Sequence, residues 1–104
     1  DRSRVILEEA DALAWARECR DEPFALVVVD LFVELDVPAS ADEDPFLDDL
    51  RRLTARTGLL VVNTIPHDEM SRLRSERIGL GLRLRFKAVE ELTLEGVNRV
   101  FIAR

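Results

Sequence analysis

At 104 residues, 47% apolar and 35% charged, the chain has the composition of one soluble globular domain, with a single core and no room for a second. Its net charge of -6, with basic residues scattered among acids, argues against a nucleic-acid footprint and favours cationic ligands, and no apolar run approaches the roughly 20 residues of a membrane span. The one cysteine, Cys19, cannot form an internal disulfide, so the cytoplasm is the expected location.

Asp1-Arg2-Ser3-Arg4 carries no initiator methionine and no targeting pattern, so the chain reads as part of something longer. Val5-Ile6-Leu7 is a short strand candidate. Asp11 follows where helical spacing begins and can cap a helix whose buried face is Ala12, Trp15, Ala16 and Cys19; Pro23 closes it. Phe24 to Val29 is an unbroken apolar run ending in Asp30. A run without polar alternation suits a strand buried on both faces at the centre of a parallel sheet, and ligands of such sheets collect outside the carboxyl ends of the strands. Asp30 is therefore the first candidate for chemistry; capping the next loop or pairing with an arginine is its plainer role.

The long connection Leu31 to Glu43 carries Glu34, Asp36, Asp42 and Glu43, and loops of that length at a strand's carboxyl end are often functional. Asp44-Pro45 opens a second helix, with Phe46, Leu50 and Leu53 inward and Gly58 as its left-handed stop. Gly58 to Val62 is the next apolar strand, and Asn63 ends it at the same edge as Asp30. Pro66 begins a third helix, with Met70, Leu73 and Leu80 inward and Gly79 and Gly81 at its end. Leu82 to Val89 and Asn98 to Ala103 are two further strands around a turn at Thr93 to Gly96. His67 has no other histidine or cysteine at ligand spacing, so no metal is expected. The sum is an α/β layered domain over residues 1–104, its crossovers right-handed and its sheet mostly parallel with a C-terminal antiparallel hairpin.

That order resembles the second half of the class I S-adenosylmethionine-dependent methyltransferase fold, a Rossmann-like three-layer sandwich, and the motifs are similar to its spermidine synthase-like (polyamine aminopropyltransferase) branch. Val5-Ile6-Leu7-Glu8-Glu9-Ala10-Asp11-Ala12 resembles the strand leading to the acidic residue that contacts adenine in that family. Val27-Val28-Val29-Asp30-Leu31-Phe32, followed by Pro38, resembles the strand and loop of its catalytic aspartate. Gly58 to Asn63 and Asn98 to Ala103 resemble its next and closing strands. The resemblance implies a nucleoside held at Asp11 and Ala12, catalysis at Asp30, and a polyamine held by Glu34, Asp36 and Asn63. It also implies decarboxylated S-adenosylmethionine, or S-adenosylmethionine, as co-substrate.

The family's glycine-rich donor loop lies before its third strand, where this sequence begins; Gly58, Gly79, Gly81 and Gly96 form no G-x-G-x-x-G. In the parent fold two strands separate the third from the fourth. Either Val5 to Leu7 moves in beside Phe24 to Asp30, or a second chain covers that edge, and self-association into a homo-oligomer is expected. Two further functions fit the same residues: a noncatalytic interaction module, and a methyltransferase of the same fold.

Overall fold

The computed structural model describes residues 4–31 and 40–104. In chain order these form α1 (Ala12–Glu18), β1 (Phe24–Val29), α2 (Asp44–Leu53), β2 (Thr54–Thr64), α3 (Glu69–Arg83), β3 (Val89–Leu94) and β4 (Asn98–Ala103). The strands lie in the order β1-β2-β4-β3. β1 runs parallel to β2, with Leu26 to Val29 opposite Leu59 to Val62, and β4 runs antiparallel to both β2 and β3. The α/β, Rossmann-like arrangement and the terminal hairpin are as expected, but the sheet is mixed rather than mostly parallel, since one of its three pairings is parallel.

Much of that balance turns on Val5, Ile6 and Leu7, which form no strand and are 62%, 82% and 91% exposed. A run of three residues offers too few ladder bonds to offset the entropy of ordering it, and the adjacent Glu8 is held instead by Trp15, whose indole Nε1–H donates to it at 2.6 Å. β1 is accordingly a sheet edge among the described residues, not the centre that its apolar run suggested.

One face of the sheet carries the core. Leu60, Val62, Phe101 and Ala103 are buried against Phe46, Leu47, Leu50 and Leu53 of α2 and Ile78 and Leu82 of α3, and Ala16 and Cys19 bring α1 into the same cluster. Side chains one position along each strand point the other way. There Leu26 and Val28 are 58% and 62% exposed, and Leu92, on the same face through its pairing with Val100, is also exposed. The described residues thus make two layers, and the third layer expected of the sandwich is not contributed by them.

Several local expectations are corrected by close packing. Gly58 is inside β2, not a helix stop: α2 ends at Leu53 and the strand starts at once. The β1/β2 register shifts here, Phe24 facing Thr54 and Leu26 facing Leu59. A Cβ on Gly58 would stand 2.8 Å from the Ala25 carbonyl oxygen and 3.0 Å from that of Phe24, so only glycine lets the two backbones approach. Gly79 and Gly81 lie within α3 rather than at its end. A Cβ on the first would meet the Phe101 ring at 2.7 Å, and one on the second would run into the Leu47 Cδ1 methyl. The strand expected from Leu82 starts only at Val89, because α3 continues to Arg83.

The inner face of α3 is Ser71, Ser75, Ile78 and Leu82, while Met70, Leu73 and Leu80 are exposed. Buried hydroxyls are tolerated because they are paired. Thr64 Oγ1 donates to the Arg99 carbonyl at 2.8 Å, so its bond to Ser75 Oγ, at 2.9 Å, is one it accepts. α1 is closed by a distant residue: Arg52 of α2 donates to the carbonyls of Cys19 and Ala16 at 2.7 and 2.6 Å. Trp15, expected in the core, sits at the rim of α1, 37% exposed and tilted against Phe24 at 6.5 Å. The terminal hairpin turns where expected, with Glu95 and Gly96 at φ 53° and 70°.

One-sided burial predicts unequal costs. Phe101→Ala should lower the unfolding free energy by about 3–5 kcal/mol, and Val28→Ala by less than about 1 kcal/mol, in urea titrations of dilute protein. Similar losses at the two positions would contradict the two-layer packing.

Candidate functional site

The carboxyl ends of β1 and β2 and the amino end of β4 meet at one edge of the sheet. Three polar side chains are linked there. Asn98 Nδ2 donates to Asn63 Oδ1 at 3.0 Å, and Asn63 Nδ2 donates to Asp30 Oδ1 at 3.2 Å. The amide orientation of Asn63 follows from chemistry, since reversing it would set its oxygen against the carboxylate. Asn98 thus orients Asn63, and Asn63 fixes one oxygen of Asp30, while the exposed Asp30 side chain keeps the other for an outside donor.

The expected pair Asp30 and Asn63 is thus brought together across β1 and β2. Asn98 was not singled out from sequence as a site residue; the signal for it was its place as the first residue of the closing strand, legible only once β4 is set antiparallel beside β2. Glu34 and Asp36 lie outside the described residues, as does the rest of 32–39.

Asp11 is the N-cap of α1: its Oδ1 accepts from the backbone N–H groups of Leu13 and Ala14 at 3.0 and 3.3 Å. Its Oδ2 takes part in neither bond. Ala12, next in the chain, lines an apolar cleft of about 130 Å³ together with Trp15, Val28, Val29 and Leu31. Val29 and Leu31 flank Asp30 in the chain, but Asp30 does not line this cleft. A second opening of about 200 Å³ is lined by Glu8, Ala10, Ala12 and Trp15. The two openings share Ala12 and Trp15, so an apolar slot adjoins the Glu8 carboxylate, a chemistry suited to a flat ring carrying polar edges.

His67 precedes α3 at the same edge of the chain's turn, with Nδ1 3.7 Å from Asp68 Oδ2. Among the described residues no group of three or more histidine, cysteine, aspartate or glutamate side chains could hold a metal ion, and no helix is long and apolar enough to cross a membrane.

No family model and no curated protein matches the sequence. The backbone, however, superimposes on the crystal structure of a probable spermidine synthase from Corynebacterium glutamicum with a TM-score of 0.76 at 19% sequence identity, over 92% of this chain. The fold is spermidine synthase-like. The chain spans 36% of the length of that protein, and the similarity in backbone agrees with the resemblance carried by the strand-end motifs.

Asp68, the N-cap of α3, accepts from the Ser71 backbone N–H and hydroxyl, each at 2.8 Å, and these bonds hold its carboxyl below the ordinary carboxylate range. A carboxylate whose pKa is lower folded than unfolded contributes stability that is fully present above its ordinary pKa of 3.8 and is lost as the pH falls through the folded value. The stability advantage of the native chain over Asp68→Asn, which keeps a cap without the charge, should therefore shrink on acidification in urea titrations at successive pH values. A constant gap would show that the charge is not what the cap uses.

Proposed function

We propose that this chain supplies the strand-end carboxylate and part of the nucleoside slot of a spermidine synthase-like transferase. The reaction is transfer of an aminopropyl group from decarboxylated S-adenosylmethionine to a polyamine amine. The observation that carries this reading is the Asn98–Asn63–Asp30 chain at the carboxyl edge of the sheet. An ammonium cannot attack until it loses a proton, and an anion held by the Asn63 amide, itself positioned by Asn98, both holds the cation and receives that proton. The freed nitrogen lone pair attacks the propyl carbon bonded to the sulfonium sulfur. The carbon–sulfur bond breaks with its electrons moving to sulfur, methylthioadenosine leaves, and the proton passes through Asp30 to solvent. Asn63 has a positioning role, and Glu34 and Asp36 are proposed to hold the distal ammonium groups.

The apolar slot lined by Ala12 suits an adenine ring, and Asp11, its neighbour in the chain with Oδ2 outside the capping bonds, is proposed to meet the ring's polar edge. Calorimetric titration with methylthioadenosine tests this. Saturable binding is expected, weakened about tenfold, roughly 1.4 kcal/mol, by Asp11→Ser, which keeps the helix cap and removes the carboxylate. No heat at millimolar ligand, or an unchanged affinity in the variant, would overturn the nucleoside assignment.

A second reading, as an oligomerisation module, is favoured by the open β1 edge and the bare face bearing Leu26 and Val28. The proposed occupant is a second copy of this chain, pairing β1 against β1 about a two-fold axis. Phe24–Val29 has no charge, proline or lysine to discourage such pairing. Sedimentation equilibrium should give a dimer that Val28→Lys converts to monomer; a monomer at all concentrations would remove this reading.

A further inference from the structure

At the end of the sheet opposite Asp30, positive charge is concentrated. A cleft of about 310 Å³ is lined by Arg51, Arg56, Arg85, Phe86, Lys87 and Arg104, five of the chain's fifteen lysines and arginines. These come from four separate places: the end of α2, the start of β2, the α3–β3 connection and the residue after β4. The topology gathers them because the amino ends of β2 and β3 and the carboxyl end of β4 coincide.

The cations divide by what they already hold. Arg85 is committed to structure, donating to Asp48 at 2.8 Å, to Asp44 at 3.0 Å and to the Gly81 carbonyl at 2.8 Å. Burial opposes its charge, but the two carboxylates outweigh that and hold its pKa above the ordinary value. Arg51 lies over the Phe86 ring at 4.7 Å and donates to the Thr54 carbonyl at 3.0 Å, which holds the floor of the cleft. Lys87 and Arg104 are set beside each other by the Ala88–Arg104 backbone pair, two bonds of 2.9 Å. Arg104 meets only the exposed Glu90, at 3.0 Å, and among the described residues Arg56 and Lys87 meet no carboxylate.

Subtracting Asp44, Asp48 and Glu90 from the five cations leaves a local charge of +2 on a protein whose net charge is -6. Long-range attraction does not bring anions to such a protein, so what binds must be read at short range. Guanidinium forks and an ammonium converging on one cleft match a ligand with several anionic oxygens. Phe86 is covered by Arg51 and buried, so it offers no free ring on which a base could stack.

We propose that this cleft is a binding site for the phosphate chain of a polyphosphate ligand, separate from the strand-end site. Arg56, Lys87 and Arg104 are its contact residues, and Arg51 and Arg85 form its walls. The site lies roughly 23 Å from Asn63 along β2, at about 3.3 Å for each of the seven residues from Arg56. It stands independently of any activity at Asp30.

Titration of the isotopically labelled chain with inorganic tripolyphosphate at low salt, followed by amide NMR, tests it. Saturable shifts confined to residues 51–56, 85–88 and 104 are expected. The double variant Arg56→Gln, Lys87→Gln, checked for unchanged thermal unfolding, should bind about tenfold or more weakly, the effect of losing charge-assisted hydrogen bonds. Adenosine triphosphate distinguishes the source of the phosphates. Affinity equal to that of tripolyphosphate assigns the site to the phosphate chain alone, and a tenfold preference for the nucleotide assigns it to a nucleotide's chain. The absence of saturable shifts at millimolar tripolyphosphate, or equal binding by the double variant, overturns the proposal.

Discussion

β2 is hydrogen-bonded along both edges, to β1 in parallel and to β4 in antiparallel sense, and the places of the other elements follow from those two ladders. The parallel partner requires a crossover, which α2 supplies on one face; the antiparallel partner is reached through α3 and the hairpin on that same face. Asn63 near one end of β2 is thereby set between Asp30 and Asn98. Arg56 near the other end is set among Arg51, Lys87 and Arg104. One strand thus separates an anionic edge from a cationic one within a protein that is acidic as a whole.

Packing against a single face explains where the sequence is permissive and where it is not. Phe101 and Leu60 are fully buried, each contributing about 1.5–3 kcal/mol of burial, and the helices must approach the sheet closely to cover them. Gly79 makes room for the Phe101 ring and Gly81 for Leu47. These glycines sit in a helix interior at some loss of helix propensity, which closer contact with the sheet at Gly79 and with α2 at Gly81 offsets. On the opposite face Leu26 and Val28 meet no covering layer among the described residues.

The capping arrangements share a further feature: three helix ends are closed by side chains. Asp11 and Asp68 cap the amino ends of α1 and α3, and Arg52 closes the carboxyl end of α1. Asp11 uses one oxygen for its cap and leaves the other outside those bonds.

Much of this was legible in the residues themselves. Unbroken apolar runs ending in Asp30 and Asn63 located two strands and their polar ends, Asp11 and Asp44-Pro45 marked helix starts, and Thr93 to Gly96 marked the hairpin turn, because caps, turns and strand ends depend on local backbone chemistry. Relations across the chain were not legible. An apolar run states that a strand will be covered, not whether it lies at the centre of a sheet or at its edge, so β1 read as central. Met70, Leu73 and Leu80 read as the inner face of α3, a place that Ser71, Ser75, Ile78 and Leu82 take instead, since the serines' partners Thr64 and Asp68 lie outside the helix. Gly58, Gly79 and Gly81 read as stops, because close approach to carbonyls or rings from other elements is invisible in a local pattern. The amino-acid sequence by itself located α1, β1, α2, β4 and the carboxylate that follows β1. Tertiary structure alone decided that Asn98 completes the link to Asp30 and that five scattered cations share one cleft, because strand register, not sequence distance, sets which side chains meet.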